Sequence, residues 1–240
     1  MVQPSFQFEE RAVVRVSQQI EKGYKAHLIV YCMKFLVIGD FHGKLPLSMK
    51  RIVAREEIDM ILSPGDYCGN KKLSQLIFRY LYGKDESEIP KHLLKKKTIE
   101  ERRSTLAGLN VLKELKKIDK PFFGVRGNWD PLDYPTDIWG RKWEKQKGAK
   151  KLLQLQKKNF SFIDFTKIEF ENFILIGGAS SSHPGKIDKK TLKQHDKKLI
   201  SGRIKEYNRR KKKYEALFTA AKKKKKPIIF LTHNCPNNTK

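Results

Sequence analysis

In the stretch "LVIGDFHGK", Asp40 and His42 stand two apart directly behind an apolar run, and three similar endings follow along the chain. Asp66 follows Pro64-Gly65, Asn128 follows Gly127, and His233 closes "PIIFLTH". Singly, each is ordinary. A Gly-Asp pair punctuates turns, an asparagine after glycine is a turn residue, and a lone strand-end histidine is commonly a hydrogen-bonded core residue. Jointly they are not ordinary, because two carboxylates, two imidazoles and an amide drawn toward one edge are costly unless something cationic satisfies them. Carboxylate oxygen with imidazole nitrogen suits divalent Mn, Fe, Zn or similar ions. Cys32, Cys68 and Cys235 form no C-x-x-C pair, which argues against a thiolate zinc site and a disulfide framework.

These residues need strands to carry them to a common edge. The apolar runs at 34–39, 59–66, 121–128 and 227–234 read as buried strands, each ending in one of the polar groups. Helices are expected over 47–58, over "KLSQLIFRYLYG" and over 91–118, where Leu106, Leu109, Leu112 and Leu115 recur every three residues as one apolar face. "SFIDFTKIEFENFILIGGAS" reads as two runs joined at Glu171-Asn172, a hairpin. Residues 186–226 read as a basic helical section with Ile204, Tyr207, Tyr214, Leu217 and Phe218 on one side. Alternating strands and helices imply an α/β layered domain, and the hairpin makes its sheets mixed. In such sheets ligands gather at the carboxyl ends of the strands.

The ordered set "GDFHG" at 39–43, "GDYCG" at 65–69, "GNWD" at 127–130 and "THN" at 232–234 resembles the calcineurin-like metallophosphoesterases. The resemblance covers residues 33–240 and is strongest, as a whole, to small archaeal and bacterial members. It implies an αββα sandwich of two mixed β-sheets flanked by helices, and two divalent metal ions as cofactors. Asp40 and His42 would bind the first ion, Asn128 and His233 the second, and Asp66 would bridge them. Water ionised by the pair would attack phosphorus, with the Asn128 amide assisting as a catalytic group. The substrate is then a phosphoester, and the chain a phosphodiesterase or phosphatase.

Two departures qualify the resemblance. Trp129 stands where the family usually has a histidine, and an indole donates no proton from a titrating group. His183 in "SSSHPGK" is one substitute; packing across the pocket or stacking on a base are roles for Trp129 itself. The family's last motif, G-H-x-H, is absent, so the fold is expected to be C-terminally incomplete and the activity impaired. Residues 1–32 are expected to be an extension preceding the domain at 33–240. Arg126 either reaches a substrate phosphate or is a solvent-exposed strand end, and Asp130 supports its neighbours.

The 52 Lys and Arg against 26 Asp and Glu leave a formal charge of +26. Between Lys186 and Lys226 there are 18 basic and 4 acidic residues, a net +14, more than half of the total. Nucleic acid is a partner such a section would attract by counterion release, and the alternative to an enzyme is a non-catalytic polyanion-binding protein on the same scaffold. A solvated helical surface is the plainer reading of the same charges. No apolar run approaches the ~20 residues of a membrane span and no signal peptide is evident, so no membrane association and a cytoplasmic location are expected.

Overall fold

The computed structural model describes residues 12–16, 33–81, 88–131, 147–178 and 197–233. The first sheet has five strands in the order β1 (Ala12–Val16), β2 (Met33–Val37), β3 (Met60–Ser63), β4 (Phe122–Gly124) and β5 (Phe160–Phe162). From β2 to β5 the strands are parallel, with Leu36 opposite Ile61, Leu62 opposite Phe123 and Phe123 opposite Ser161. Strand β1 lies antiparallel on the β2 edge, inside the segment read from sequence as an extension. The second sheet orders β6 (Lys167–Glu169), β7 (Ile174–Gly178) and β8 (Ile228–Thr232), antiparallel then parallel.

The period-2 alternation of strand side chains builds four layers. Phe35, Met60, Leu62, Phe123 and Val125 face Phe173, Leu175 and Leu231 of the second sheet in one core. Their neighbours Leu36, Ile61 and Phe122 point to the other side, onto α1 (Met49–Arg55), α3 (Lys91–Lys116) and α4 (Lys147–Leu153). Ile174 and Ile176 turn outward from the second sheet onto Leu217, Phe218 and Ala221 of α5 (Lys197–Lys222). Strands covered on both faces have no solvent side, which is why they read as unbroken apolar runs. Helix α2 (Lys71–Leu76), capped by the Asn70 side chain at 2.8 Å, passes into a π-helical turn over Ile77–Leu81 around a small satellite core.

Two expectations change in detail. The hairpin at Glu171-Asn172 forms, with Glu169 opposite Ile174, but its first run is cut at Ile163–Thr166, so β5 joins the first sheet and only β6 pairs with β7. In α3, Leu109, Leu112 and Leu115 are buried but Leu106 is 56% exposed. A three-residue step turns a helix by only about 300°, so a strict i+3 row drifts by about 60° per step and Leu106 ends opposite Leu115. Gly108 and Ser104 take the buried side instead, and Gly108 packs against Cys68.

Replacing Leu112 by alanine is therefore expected to cost about 2–5 kcal/mol, whereas Leu106→Ala should stay within about 0.5 kcal/mol. Denaturant-unfolding midpoints of the two variants check the assignment of faces.

Candidate metal centre

Because β2, β3 and β4 are parallel neighbours, the chain leaves all three at the same edge of the sheet, and the loops there are stitched together through their backbones. The N–H groups of Asp40, His42 and Gly43 donate to the carbonyls of Gly65, Asp66 and Tyr67, each at 2.9 Å. The buried carboxylate of Asp130 joins the second loop to the third. Its Oδ2 accepts from the N–H of Asp66 at 2.9 Å and of Gly127 at 2.8 Å, and its Oδ1 from Cys68 at 2.8 Å. The N–H of Trp129 donates to Asp66 Oδ1 at 3.0 Å.

This stitching holds three residues in the left-handed region, Asp40 at φ 52°, His42 at 44° and Asp66 at 57°. Such conformations cost L-residues about 1–2 kcal/mol, aspartate less than most. The strain falls on the residues whose ligand atoms meet: Asp40, His42 and Asp66 each offer one atom within 4.8 Å of the others. Two glycines make room for them. A Cβ on Gly127 would run into the Asp66 carboxylate, and one on Gly69, at φ +135°, would sit 2.6 Å from His42 Nδ1.

His233 arrives from the second sheet at the end of β8. Its Nδ1 lies 3.0 Å from the Pro64 carbonyl, which only accepts, so in the neutral ring Nδ1 carries the proton and Nε2 keeps its lone pair. That Nε2 is 2.8 Å from Asn128 Oδ1 and 3.4 Å from Asp66 Oδ2. Lone pairs turned on one another repel unless a proton or a metal ion lies among them. Asp66 itself is 3% exposed, and burial, with Asp130 and Asp40 as like charges nearby, pushes its carboxyl up to about 8 against the pull of the Trp129 N–H. Burial also raises Asp130, while its three N–H partners hold it down. This donor set suits a divalent cation, which would stabilise the Asp66 carboxylate where its surroundings do not.

All five predicted site residues, Asp40, His42, Asp66, Asn128 and His233, thus meet at one edge between the two sheets. Asp40 and Asn128 are exposed, and Asp66 is buried. The Trp129 ring stands 88° to the His42 imidazole with centroids 5.9 Å apart, so the indole is part of the centre's wall. Arg126 neither is exposed nor offers itself to a substrate: it is 3% exposed, its Nε donates to Asp164 Oδ2, and its backbone N–H reaches Asp164 Oδ1 at 2.9 Å. The pair ties the end of β4 to the residue following Ile163, and burial raises the Asp164 carboxyl while Arg126 lowers it. Neither Asp164 nor the orienting Pro64 carbonyl had a signal in the sequence, since "FIDF" and "SPG" carry no chemistry of their own. His183 lies outside the described residues, as does the part of the basic section before Lys197.

Comparison with known proteins bears on this centre. The model of the calcineurin-like phosphoesterase family matches residues 33–239. No curated protein matches the chain. A crystal structure with 15% sequence identity is similar over 65% of this chain, with a TM-score of 0.46. The matched region spans 56% of that protein's length.

Two outcomes follow from the electrostatics. A carboxyl raised in the folded state binds its proton more tightly there than in the unfolded chain, so Asp66 favours folding below pH about 4 and loses that contribution as pH rises toward about 8. Metal-free protein should therefore lose stability across this window, and Asp66→Asn should flatten the decline. Unfolding midpoints against pH in chelator show whether it does. Asp130→Asn exchanges acceptor oxygen for N–H facing N–H, and should weaken metal binding by about 10–100-fold, read by manganese titration.

Proposed function

The chain belongs to the calcineurin-like phosphoesterase family, a family of metal-dependent phosphoester hydrolases, and from that premise we propose that it is a phosphodiesterase or phosphatase working on two divalent cations. The observation that carries this reading is the meeting of Asp40, His42 and Asp66 with His233 and Asn128 around a buried carboxylate that no Lys or Arg among the described residues pairs with. In this reading Asp40 and His42 would hold one ion and Asn128 and His233 the other, with Asp66 serving both. Manganese, iron or zinc suits the mixed oxygen and nitrogen set. When bound, such ions supply Lewis acidity, lowering the pKa of a water and drawing charge from the phosphoryl oxygens.

The chain's own residues do the rest. Asp130 holds the loops that carry Asp66 and Asn128. The Pro64 carbonyl keeps the proton on His233 Nδ1 so that Nε2 faces inward. The exposed Asn128 amide is available to donate to a non-bridging phosphate oxygen, where charge grows as the attack proceeds. Trp129 gives the leaving group no titrating proton, so in this reading aryl esters are cleaved faster than esters of ordinary alcohols, whose departing oxygen takes its proton from water. The alternative, a polyanion-binding protein without turnover, leaves the meeting of these candidate ligands unexplained. No helix among the described residues is long and apolar enough to cross a membrane. A cytoplasmic location is part of the proposal, supported by the buried free thiol of Cys68 and by a sequence without C-x-x-C spacing.

Chelator-treated protein should leave bis(p-nitrophenyl) phosphate intact, and added manganese should start its hydrolysis. Asp66→Asn should lower kcat/KM by about a hundredfold or more, since it removes the group shared by both ions. Absence of hydrolysis with manganese, iron or zinc would defeat the proposal.

A further inference from the structure

Two features outside the candidate ligand set bear on what kind of phosphoester reaches the site. The first is Trp129. Its backbone N–H is tied to Asp66 Oδ1, and its half-buried ring stands beside the imidazole of His42. An indole fixed next to a phosphoester site offers an aromatic surface within reach of whatever is esterified to that phosphate.

The second is α5. Its C-terminal half packs on the second sheet through Ala221, Phe218, Leu217 and Tyr214. Arg210 lies over Phe165, whose N–H bonds the Gly177 carbonyl near the end of β7, so at Arg210 the helix has reached the level of the strand ends. It runs antiparallel to β8. Residues 197–209 therefore continue for about 20 Å past that level, on the side of the molecule where β8 delivers His233. Lys205, Arg209 and Lys212 stand at i, i+4 and i+7 on the exposed face opposite the packed one. Lys205 and Lys212 have no ion-pair partner among the described residues. From Lys197 to Lys226 there are 14 basic and 2 acidic residues, a net +12. A solvated face needs no such excess of one sign, and a polyphosphate backbone is the partner that releases counterions from it.

We propose that the substrate of this site is single-stranded nucleic acid, drawn in by the cations along α5 and positioned by one base stacked on Trp129. The inference rests on the phosphoesterase reading and names its substrate class. Stacking a base on an aromatic side chain tolerates any sequence and strengthens binding about tenfold or more, while backbone contacts set the salt dependence.

The test compares a fluorescein-labelled dT12 with a 12-mer of abasic sugar-phosphate, which keeps the charges and lacks the bases, by anisotropy across a salt series. Wild-type protein should bind dT12 about tenfold more tightly than the abasic strand. Trp129→Ala should erase that ratio and Trp129→Phe should keep most of it. Lys205→Glu with Lys212→Glu should weaken both strands alike and reduce the log–log salt slope by roughly 1.4. An unchanged dT12-to-abasic ratio in Trp129→Ala, or an unchanged salt slope in the double variant, overturns the proposal. Manganese-dependent hydrolysis of bis(p-nitrophenyl) phosphate is followed in the same samples. If that reaction proceeds but dT12 is neither cleaved nor a competitive inhibitor of it, nucleic acid is not the substrate. If strand binding behaves as expected but no phosphoester is hydrolysed, the phosphoesterase reading fails instead.

Discussion

The Asp130 carboxylate is the contact on which the centre depends. Its two oxygens accept three backbone N–H groups, from Asp66, Cys68 and Gly127, and so lock the loop after β3 to the loop after β4. Hydrogen bonds to an ionised acceptor are roughly twice as strong as neutral ones, and here three converge inside a buried volume. A side chain that never needs to touch a metal or a phosphate thereby sets the position of Asp66 and the direction of Asn128. The loop after β2 joins the same assembly through three backbone hydrogen bonds of its own. The assembly is stiff enough to keep Asp40, His42 and Asp66 in left-handed conformations that an unsupported loop would abandon.

That rigidity has an electrostatic counterpart. Asp130 and Asp66 are neighbouring carboxylates in a buried place, and each raises the cost of ionising the other. Left to itself Asp66 favours a proton; a divalent cation held beside it would favour the ionised form. The arrangement makes the metal-free fold less stable at neutral pH than an uncharged site would, and a cation bound there would offset that cost. Stability and function pull in opposite directions on the same atoms, as they commonly do where a site is preorganised for charge.

The two sheets divide the labour. The first supplies three loop-borne groups from adjacent parallel strands, a near neighbourhood that follows from pairing alone. The second sends one histidine across, and its placement depends on the intersheet core of Phe35, Leu62, Phe123, Phe173 and Leu231 holding β8 at the right height. The buried Arg126–Asp164 pair joins the end of β4 to the chain just past β5.

Much was legible from the chain alone: the buried strands as unbroken apolar runs, the polar residues at their tips, the layered α/β class and the ordered motifs of a phosphoesterase family. These are local signals, because a strand buried on both faces has no polar positions and its termination must be polar. Tertiary structure decided what depends on distance along the chain. The split of 161–170 between two sheets was not legible in the local pattern, since both halves alternate polar and apolar residues, Ser161-Phe162 in one and Lys167-Ile168-Glu169 in the other. Leu106 looked like its neighbours because a three-residue spacing is indistinguishable from a helical stripe over one turn and diverges only over three. Arg126 read as a free cation until folding brought Asp164 to it from 38 residues away. The sequence by itself determined which chemical groups stand at the strand ends; only the pairing of strands and the stacking of sheets decided that they meet, because convergence is a property of topology and not of any one segment.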